Sequence, residues 1–326
     1  MSTVVVTFVP DGSGRHILSE ALDGAAEAIY LPELDDAARA DALRNADAVL
    51  ARTTRELRQG EIALLKDVRL AQFLFAGIDQ VPLAEMPPGV PVAANGGAYA
   101  EPMAEHILAM ALAAAKRLFV EHAALARGEF NQFGRNRMLA GGVCGILGFG
   151  GIGVATARLA RGIGMRVHAI NRRGRSDEPT DWIGSVDQLD ALLAASDLLV
   201  VCTPLTPATL GMIGGPQLAR MKDDAILVNV ARGEIIDERA LYERLVAFPR
   251  FTACIDAWWI EPVRHGAFRM DQPFMTLPNV IGSPHNSASA IAATGPMGLR
   301  HAIANIRRAL AGETPMNLVP PEDRMV

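Results

Sequence analysis

The 326-residue sequence predicts an α/β protein built from two doubly wound parallel-sheet domains, and three observations carry that prediction. Short apolar runs rich in Val, Ile and Leu alternate with Ala-, Leu- and charge-rich stretches of helical spacing. The runs lack a polar alternate face, as strands of a parallel sheet covered on both sides do. Half of the residues are hydrophobic, enough in a chain of this length for two cores.

TVVVTFV, ADAVLA, RLAQFLFA and VPVAAN read as four strands of a first unit. DGSGRHI, from Asp11 to Ile17, has Gly-x-Gly after a strand but no third glycine, and reads as an ordinary strand-to-helix turn. From Ala100 to Arg127 the chain is Ala- and Leu-rich with no glycine before Gly128, which predicts one long helix. Its apolar surface is wider than one sheet face covers, so the 100–127 helix is expected to join a homodimer. VCGILGFG, MRVHAIN, DLLVVCTP, AILVNVARG, FTACIDAW and NVIGSPHN then read as six strands of a second unit. A helix from about Ala288 to Ala311 and a proline-bearing tail are expected to cross back. The expected domains are therefore 1–99 with 289–326, and 100–288.

A net charge of −5 argues against broad nucleic-acid or anionic-membrane binding, which needs a basic face. The N-terminus MSTVVVTFVPDG has no basic leader, and no apolar run reaches the length of a membrane span. The three cysteines, Cys144, Cys202 and Cys254, lie in apolar runs without metal-ligand or disulfide spacing. The expectation is a soluble cytoplasmic protein with no metal, no nucleic-acid partner and no membrane partner.

GILGFGGIG contains Gly-x-Gly-x-x-Gly as Gly148, Gly150 and Gly153, after a strand and before a helical stretch. The first glycine permits a tight turn, the second a close pyrophosphate, the third close helix–strand packing, while amides at Gly151 and Ile152 open the helix toward the phosphates. At the end of the next strand, where NAD-specific folds keep an acid for the ribose hydroxyls, HAINRRGR places Asn171, Arg172 and Arg173. A carboxylate would repel a 2′-phosphate, an amide can bond it and guanidinium groups can pair with it, so NADP(H) is expected over NAD(H), which remains possible. Arg175 lies farther along and reads as solvated charge.

The other strand ends carry polar groups: Thr203, Pro204, Thr206 and Thr209 in PLTPAT, Arg232 in NVARGEIID, Asp256 and Glu261 in DAWWIEP, and His285 in SPHNS. An arginine, a carboxylate and a histidine at one crevice beside a nicotinamide suit hydride transfer to a 2-oxo acid. Other histidines, His16, His106, His122, His168 and His301, read as surface or structural residues.

With AGID near Gly77 and the Asn95…Ala104–His106 pattern added, this ordered set resembles the D-isomer-specific 2-hydroxyacid dehydrogenase family over nearly the whole chain. The resemblance implies a Rossmann-type cofactor domain and a flavodoxin-like substrate domain. It implies that Arg232 binds the substrate carboxylate and carbonyl oxygen, that His285 is the general acid/base and that Glu261 pairs with it. Cofactor contacts are implied at Thr203, Pro204, Thr209, Val230, Ala231, Asp256 and Ser287, with Asp256 near the nicotinamide amide. Substrate contacts are implied at Ala76 and Gly77, whose amides would grip the carboxylate as the domains close.

The segment EPVRHGAFRMDQPFMTLPNV is a few residues longer than most members have and carries Arg264, His265 and Arg269, read as a solvated loop or subunit contact in preference to a contact with an anionic substrate tail. Trp258 and Trp259 are expected either to narrow the pocket or to pack that loop. The leading expectation is an NADP(H)-preferring reductase of glyoxylate- or hydroxypyruvate-like 2-oxo acids, giving D-2-hydroxy acids. Glu261 disfavours formate oxidation, where members carry glutamine, and Ala76 disfavours phosphite oxidation, where they carry lysine. The alternatives are a 3-phosphoglycerate dehydrogenase, for which the chain ends early, and a dinucleotide-sensing corepressor-like binding protein.

Overall fold

The computed structural model describes residues 1–289 and 294–324. The chain divides into two compact units, Met1–Tyr99 with Ala290–Val326, and Ala100–Ser289, each with its own parallel sheet.

The first unit holds β1 (Ser2–Val6), β2 (Ala26–Tyr30), β3 (Ala48–Ala51), β4 (Leu70–Phe73) and β5 (Val92–Ala93), in the order β2-β1-β3-β4-β5. Neighbouring side chains on a strand leave by opposite faces, and here both faces are covered. Val4, Val6, Leu50 and Leu70 pack under α1 (Gly12–Leu22) and the C-terminal helix Thr294–Leu310. Val5, Val49, Ala71 and Phe73 pack under Leu43 of α2 (Asp36–Arg44). The DGSG segment is the entry to α1, where the Asp11 carboxylate accepts the Gly14 amide N–H at 2.6 Å.

Two expectations change in this unit. AEAIY forms a strand that the run-by-run reading passed over, because β2 lies at the sheet edge and is polar at Glu27. VPVAAN supplies only Val92 and Ala93, because the chain beyond turns to bond the tail: Ala93 bridges Leu318 and Ala94 donates to the Asn317 carbonyl at 3.1 Å.

The second unit opens with α3 (Ala100–Ala115) and α4 (Leu118–Ala126) in place of the single helix expected. Arg117 adopts the left-handed region with φ 53°, which breaks the helix, and the returning Arg137 amide takes the Ala115 carbonyl at 2.9 Å. Alanine-rich propensity runs straight through this joint, so the sequence carries no stop signal there. Ala100 and Ala104 of α3 pack on Ala155 of α5 (Gly151–Gly162). No residue of α4 is fully buried, and Leu118, Phe119 and Leu125 are exposed.

The sheet comprises β6 (Val143–Leu147), β7 (Arg166–Ile170), β8 (Trp182–Gly184), β9 (Leu198–Val201), β10 (Ile226–Asn229), β11 (Thr252–Ile255) and β12 (Val280–Gly282). Helices α6 (Leu189–Ala195), α7 (Gly215–Leu218), α8 (Glu238–Ala247) and α9 (Pro262–His265) follow β8, β9, β10 and β11 in turn. The order is β12-β11-β10-β9-β6-β7-β8, one strand more than expected, since the short edge strand β8 gives no apolar run. Chain order reverses between β6 and β9, and in such sheets the ligand crevice opens at the carboxyl ends there. Of the helix expected from Ala288 to Ala311, Thr294–Leu310 is observed, and 290–293 lie outside the described residues. No helix among the described residues is long and apolar enough to cross a membrane.

Candidate active site

The glycine turn sits at the reversal point, between the ends of β6 and β9. Gly148 has φ 106°, and a Cβ there would come 2.5 Å from the Thr203 backbone nitrogen. A Cβ on Gly153 would come 2.5 Å from the Gly148 carbonyl oxygen. Both positions exclude a side chain for packing reasons internal to the unit. Gly150 differs: among the described residues a Cβ there meets nothing within 4 Å, and no side chain caps the N-terminus of α5 that begins at exposed Gly151 and half-buried Ile152. Open space in front of uncapped helix amides fits a pyrophosphate. A second sign of fit is the Ser287 hydroxyl, buried yet without a hydrogen-bond partner among the described residues. A buried hydroxyl left unpaired costs about 1–3 kcal/mol, which a ligand amide could recover. Thr209 closes the loop after β9 by donating to the Pro204 carbonyl at 2.7 Å, and Val230 and Ala231 are buried after β10.

At the end of β7, Asn171 already spends its side chain on its own loop. Its Oδ1 accepts the Arg173 amide at 3.0 Å, and its Nδ2 donates to the Arg175 carbonyl at 2.9 Å. Asn171 thus shapes the turn, and exposed Arg172 and Arg173 are what the turn presents.

Three chemistry-bearing residues share this unit. His285 follows β12 in the left-handed region, φ 50°, and its Nδ1 lies 2.8 Å from both Oε1 and Oε2 of Glu261. A carboxylate accepts, so the ring proton is on Nδ1 and Nε2 is left for proton exchange. Burial alone would raise the Glu261 carboxyl. The His285 bond, the Trp258 amide and the charges of His285 and Arg232 outweigh it and hold Glu261 below the usual carboxylate range. Arg232 follows β10 on a backbone tied by buried Asn229, whose Nδ2 donates to the Arg232 carbonyl at 2.9 Å and whose Oδ1 accepts from the Ala231 amide at 3.1 Å. Asn229 stands inside the NVARG motif, yet sequence reasoning gave it no part.

Asp256 is fully buried at the end of β11 and caps the histidine loop. Its Oδ1 accepts from Ser283 Oγ at 2.5 Å and the Asn286 amide at 3.1 Å, and its Oδ2 from the Ser287 amide at 3.2 Å. The nicotinamide contact expected of it keeps only the lone pair that these three donors leave. His106, read as structural, joins this group at 3.1 Å from Ser283 Oγ. The two tryptophans pack the loop: Trp258 Nε1 donates to the Ser283 carbonyl at 2.8 Å, and Trp259 stacks on Phe274 at 5.4 Å between centroids. Arg264 and His265 make bonds within the unit, to Glu234 and Glu261, while His265 and most of the segment around it stay exposed. Burial pushes the Cys144 and Cys254 thiols up to about 12, which removes them as nucleophiles. No cluster of three or more metal-ligating side chains occurs among the described residues.

Ala76 and Gly77 belong to the first unit, half-buried in the loop after β4. Buried Asn95 holds that loop, its amide N–H donating to the Phe75 carbonyl at 2.9 Å and its Nδ2 to the Leu74 carbonyl at 3.0 Å; Tyr99 Oη adds a bond to Leu74 at 2.9 Å.

Fold and site together define a two-unit α/β protein whose second unit carries both a glycine turn at the sheet's reversal point and a histidine–glutamate pair. Residues 108–287 match the family described as D-isomer specific 2-hydroxyacid dehydrogenase, NAD binding domain. The chain is 31% identical over 286 residues to the glyoxylate reductase of Korarchaeum cryptofilum, covering 86% of this chain and 84% of that one. It is likewise 31% identical over 283 residues to the D-3-phosphoglycerate dehydrogenase of Methanocaldococcus jannaschii, covering 85% of this chain but 52% of that one, about half its length. Among solved structures, a D-isomer specific 2-hydroxyacid dehydrogenase from Xanthobacter autotrophicus Py2, in complex with NADPH and MES, superposes with a TM-score of 0.78 at 25% identity, covering 98% of each chain. The chain belongs to the D-isomer specific 2-hydroxyacid dehydrogenase family.

Proposed function

We propose that this chain is an NADP(H)-preferring reductase of small 2-oxo acids, glyoxylate and hydroxypyruvate first among them, yielding D-2-hydroxy acids. The observation that carries the reading is the His285–Glu261 pair, Nδ1 at 2.8 Å from both carboxylate oxygens, in the unit that also holds the glycine cradle and Arg232. When bound, the dinucleotide supplies the hydride. As negative charge develops on the carbonyl oxygen, protonated His285 delivers a proton from Nε2. Glu261, ionised at neutral pH, fixes the ring and stabilises its charged form. Arg232 contributes a fixed positive charge for the carboxylate and carbonyl oxygen.

The cofactor preference rests on Arg172 and Arg173, with no acid between Asn171 and Ser176 to repel a 2′-phosphate. The NADPH bound to the Xanthobacter relative supports the same preference. Self-association through α3 and α4 rests on the apolar side chains that α4 leaves exposed.

The test is steady-state reduction of glyoxylate, hydroxypyruvate and 3-phosphohydroxypyruvate with NADPH and NADH in turn. Turnover of the first two, favouring NADPH, is expected. Equal or better kcat/KM with NADH removes the cofactor preference, and a preference for the phosphorylated acid supports the phosphoglycerate dehydrogenase reading. Tight NADPH binding without any turnover supports a dinucleotide-sensing protein.

A further inference from the structure

The segment after Glu261 carries three basic residues that the chemistry above leaves unused. Arg269 pairs with exposed Asp271 at 2.7 Å, a surface contact of small consequence. Arg264 and His265 are placed differently. Arg264 meets Glu234 through two parallel bonds, Nη2 to Oε1 at 2.7 Å and Nη1 to Oε2 at 3.0 Å, with the side chains only 15% and 21% exposed. Glu234 stands two residues after Arg232, in the turn Gly233–Ile235. That turn lies against the Trp258–Trp259 peptide so closely that a Cβ on Gly233 would come within 2.5 Å of it. Trp259 Nε1 closes the same joint by donating to the Ile236 carbonyl at 2.7 Å.

His265, the last residue of α9, turns back on Glu261 itself. Its Nδ1 accepts the Glu261 amide N–H at 2.9 Å, and its own amide donates to the Glu261 carbonyl at 2.8 Å. An accepting Nδ1 carries no proton, so His265 does this as a neutral ring protonated on Nε2. One short segment therefore grips both halves of the site. A bidentate arginine–carboxylate pair, partly shielded from water, fixes orientation as well as distance, and a lysine could not reproduce it.

We propose that Arg264 and His265 are positioning residues: Arg264, through Glu234, sets the turn that carries Arg232, and His265, through the Glu261 amide, sets the carboxylate that orients His285. The catalytic consequence rests on the reductase reading above; the clamp itself does not. Each half has its own kinetic signature, because Arg232 serves substrate binding and the His285–Glu261 pair serves the proton.

The experiment compares Arg264→Met, His265→Leu and His265→Asn with the wild type, each first checked for an intact thermal transition. Arg264→Met raises KM for the 2-oxo acid about tenfold while KM for NADPH stays put, and His265→Leu lowers kcat about tenfold to a hundredfold, since small misplacements at a reacting centre are amplified in rate. His265→Asn restores kcat to within about threefold of wild type, because Oδ1 can accept the same N–H. A merely structural role would lower the thermal midpoint and leave both constants alone. The readout independent of turnover is hydrogen exchange at the Glu261 amide, about tenfold faster in His265→Leu and near wild type in His265→Asn. Folded variants with wild-type kcat, KM and exchange overturn the proposal. Should the wild type reduce no 2-oxo acid, the reductase reading falls alone, and unchanged Glu261 exchange in His265→Leu overturns the clamp.

Discussion

His285 has two constraints that seldom meet by accident: a left-handed backbone and a ring nitrogen shared by both oxygens of a buried carboxylate. A non-glycine residue held at positive φ costs about 1–3 kcal/mol, and here the cost is offset by bonds that fix the loop on either side, from the His285 amide to the Asp256 carbonyl and from Asn286 and Ser287 to the Asp256 carboxylate. Glu261 carries a pH consequence. Its folded pKa lies below its ordinary value of 4.5, so the stability it contributes is fully present above that value and is lost as pH falls through the lower, folded one. Urea unfolding of wild type and Glu261→Gln should therefore show a stability gap at neutral pH that narrows as pH falls below 4.5. A gap independent of pH would mean that the carboxylate is not held by the charges assigned to it. A charge-assisted bond contributes about 1.5–3 kcal/mol, so the Arg172→Ala, Arg173→Ala double variant should lose about tenfold or more in NADPH affinity with NADH affinity unchanged. Titration with each dinucleotide checks this, and parallel losses would assign the arginines to something other than the 2′-phosphate.

Among the elements, the glycine turn was legible because its requirement is local: strand, three glycines, helix. The physical reasons at the three glycines still differ. Gly148 and Gly153 are excluded from carrying a side chain by backbone neighbours at 2.5 Å, whereas Gly150 faces open space. Gly148→Ala is thus expected to destabilise the unit by about 2 kcal/mol or more. Gly150→Ala should leave the melting temperature nearly unchanged and weaken dinucleotide binding. Thermal melts and cofactor titration on the two variants separate these outcomes, and equal effects on both measurements would contradict the account of the turn. Less was legible where an element depends on its surroundings. The break at Arg117 has no proline or glycine to announce it, because it is set by Arg137 returning to Ala115. Strands β2 and β8 escaped because edge strands need only one apolar side. Asn171 stands out in the sequence by its position at the strand end, but its bonds within the turn follow from a loop shape that no spacing reveals.

For the whole molecule, the parallel-sheet architecture could be read from continuous apolar runs, since a strand covered on both faces cannot alternate. The grip of Arg264 on Glu234 and of His265 on Glu261 could not, because it joins loops that only folding brings together. Exposed Leu118, Phe119 and Leu125 on α4, with Phe130 and Phe133 beyond it, make an apolar surface that a soluble monomer rarely carries. Phe119→Asp with Leu125→Asp should shift sedimentation toward the monomer, and a wild-type chain already monomeric at micromolar concentration would contradict the proposed dimer. Delivery of a proton by His285 to a 2-oxo acid during hydride transfer is read out by kcat/KM for NADPH-dependent hydroxypyruvate reduction in wild type and His285→Ala. Measurable wild-type turnover is expected, with a loss of about 10²- to 10⁴-fold in the variant and NADPH binding intact. A folded His285→Ala variant with near-wild-type kcat/KM would contradict this role for His285.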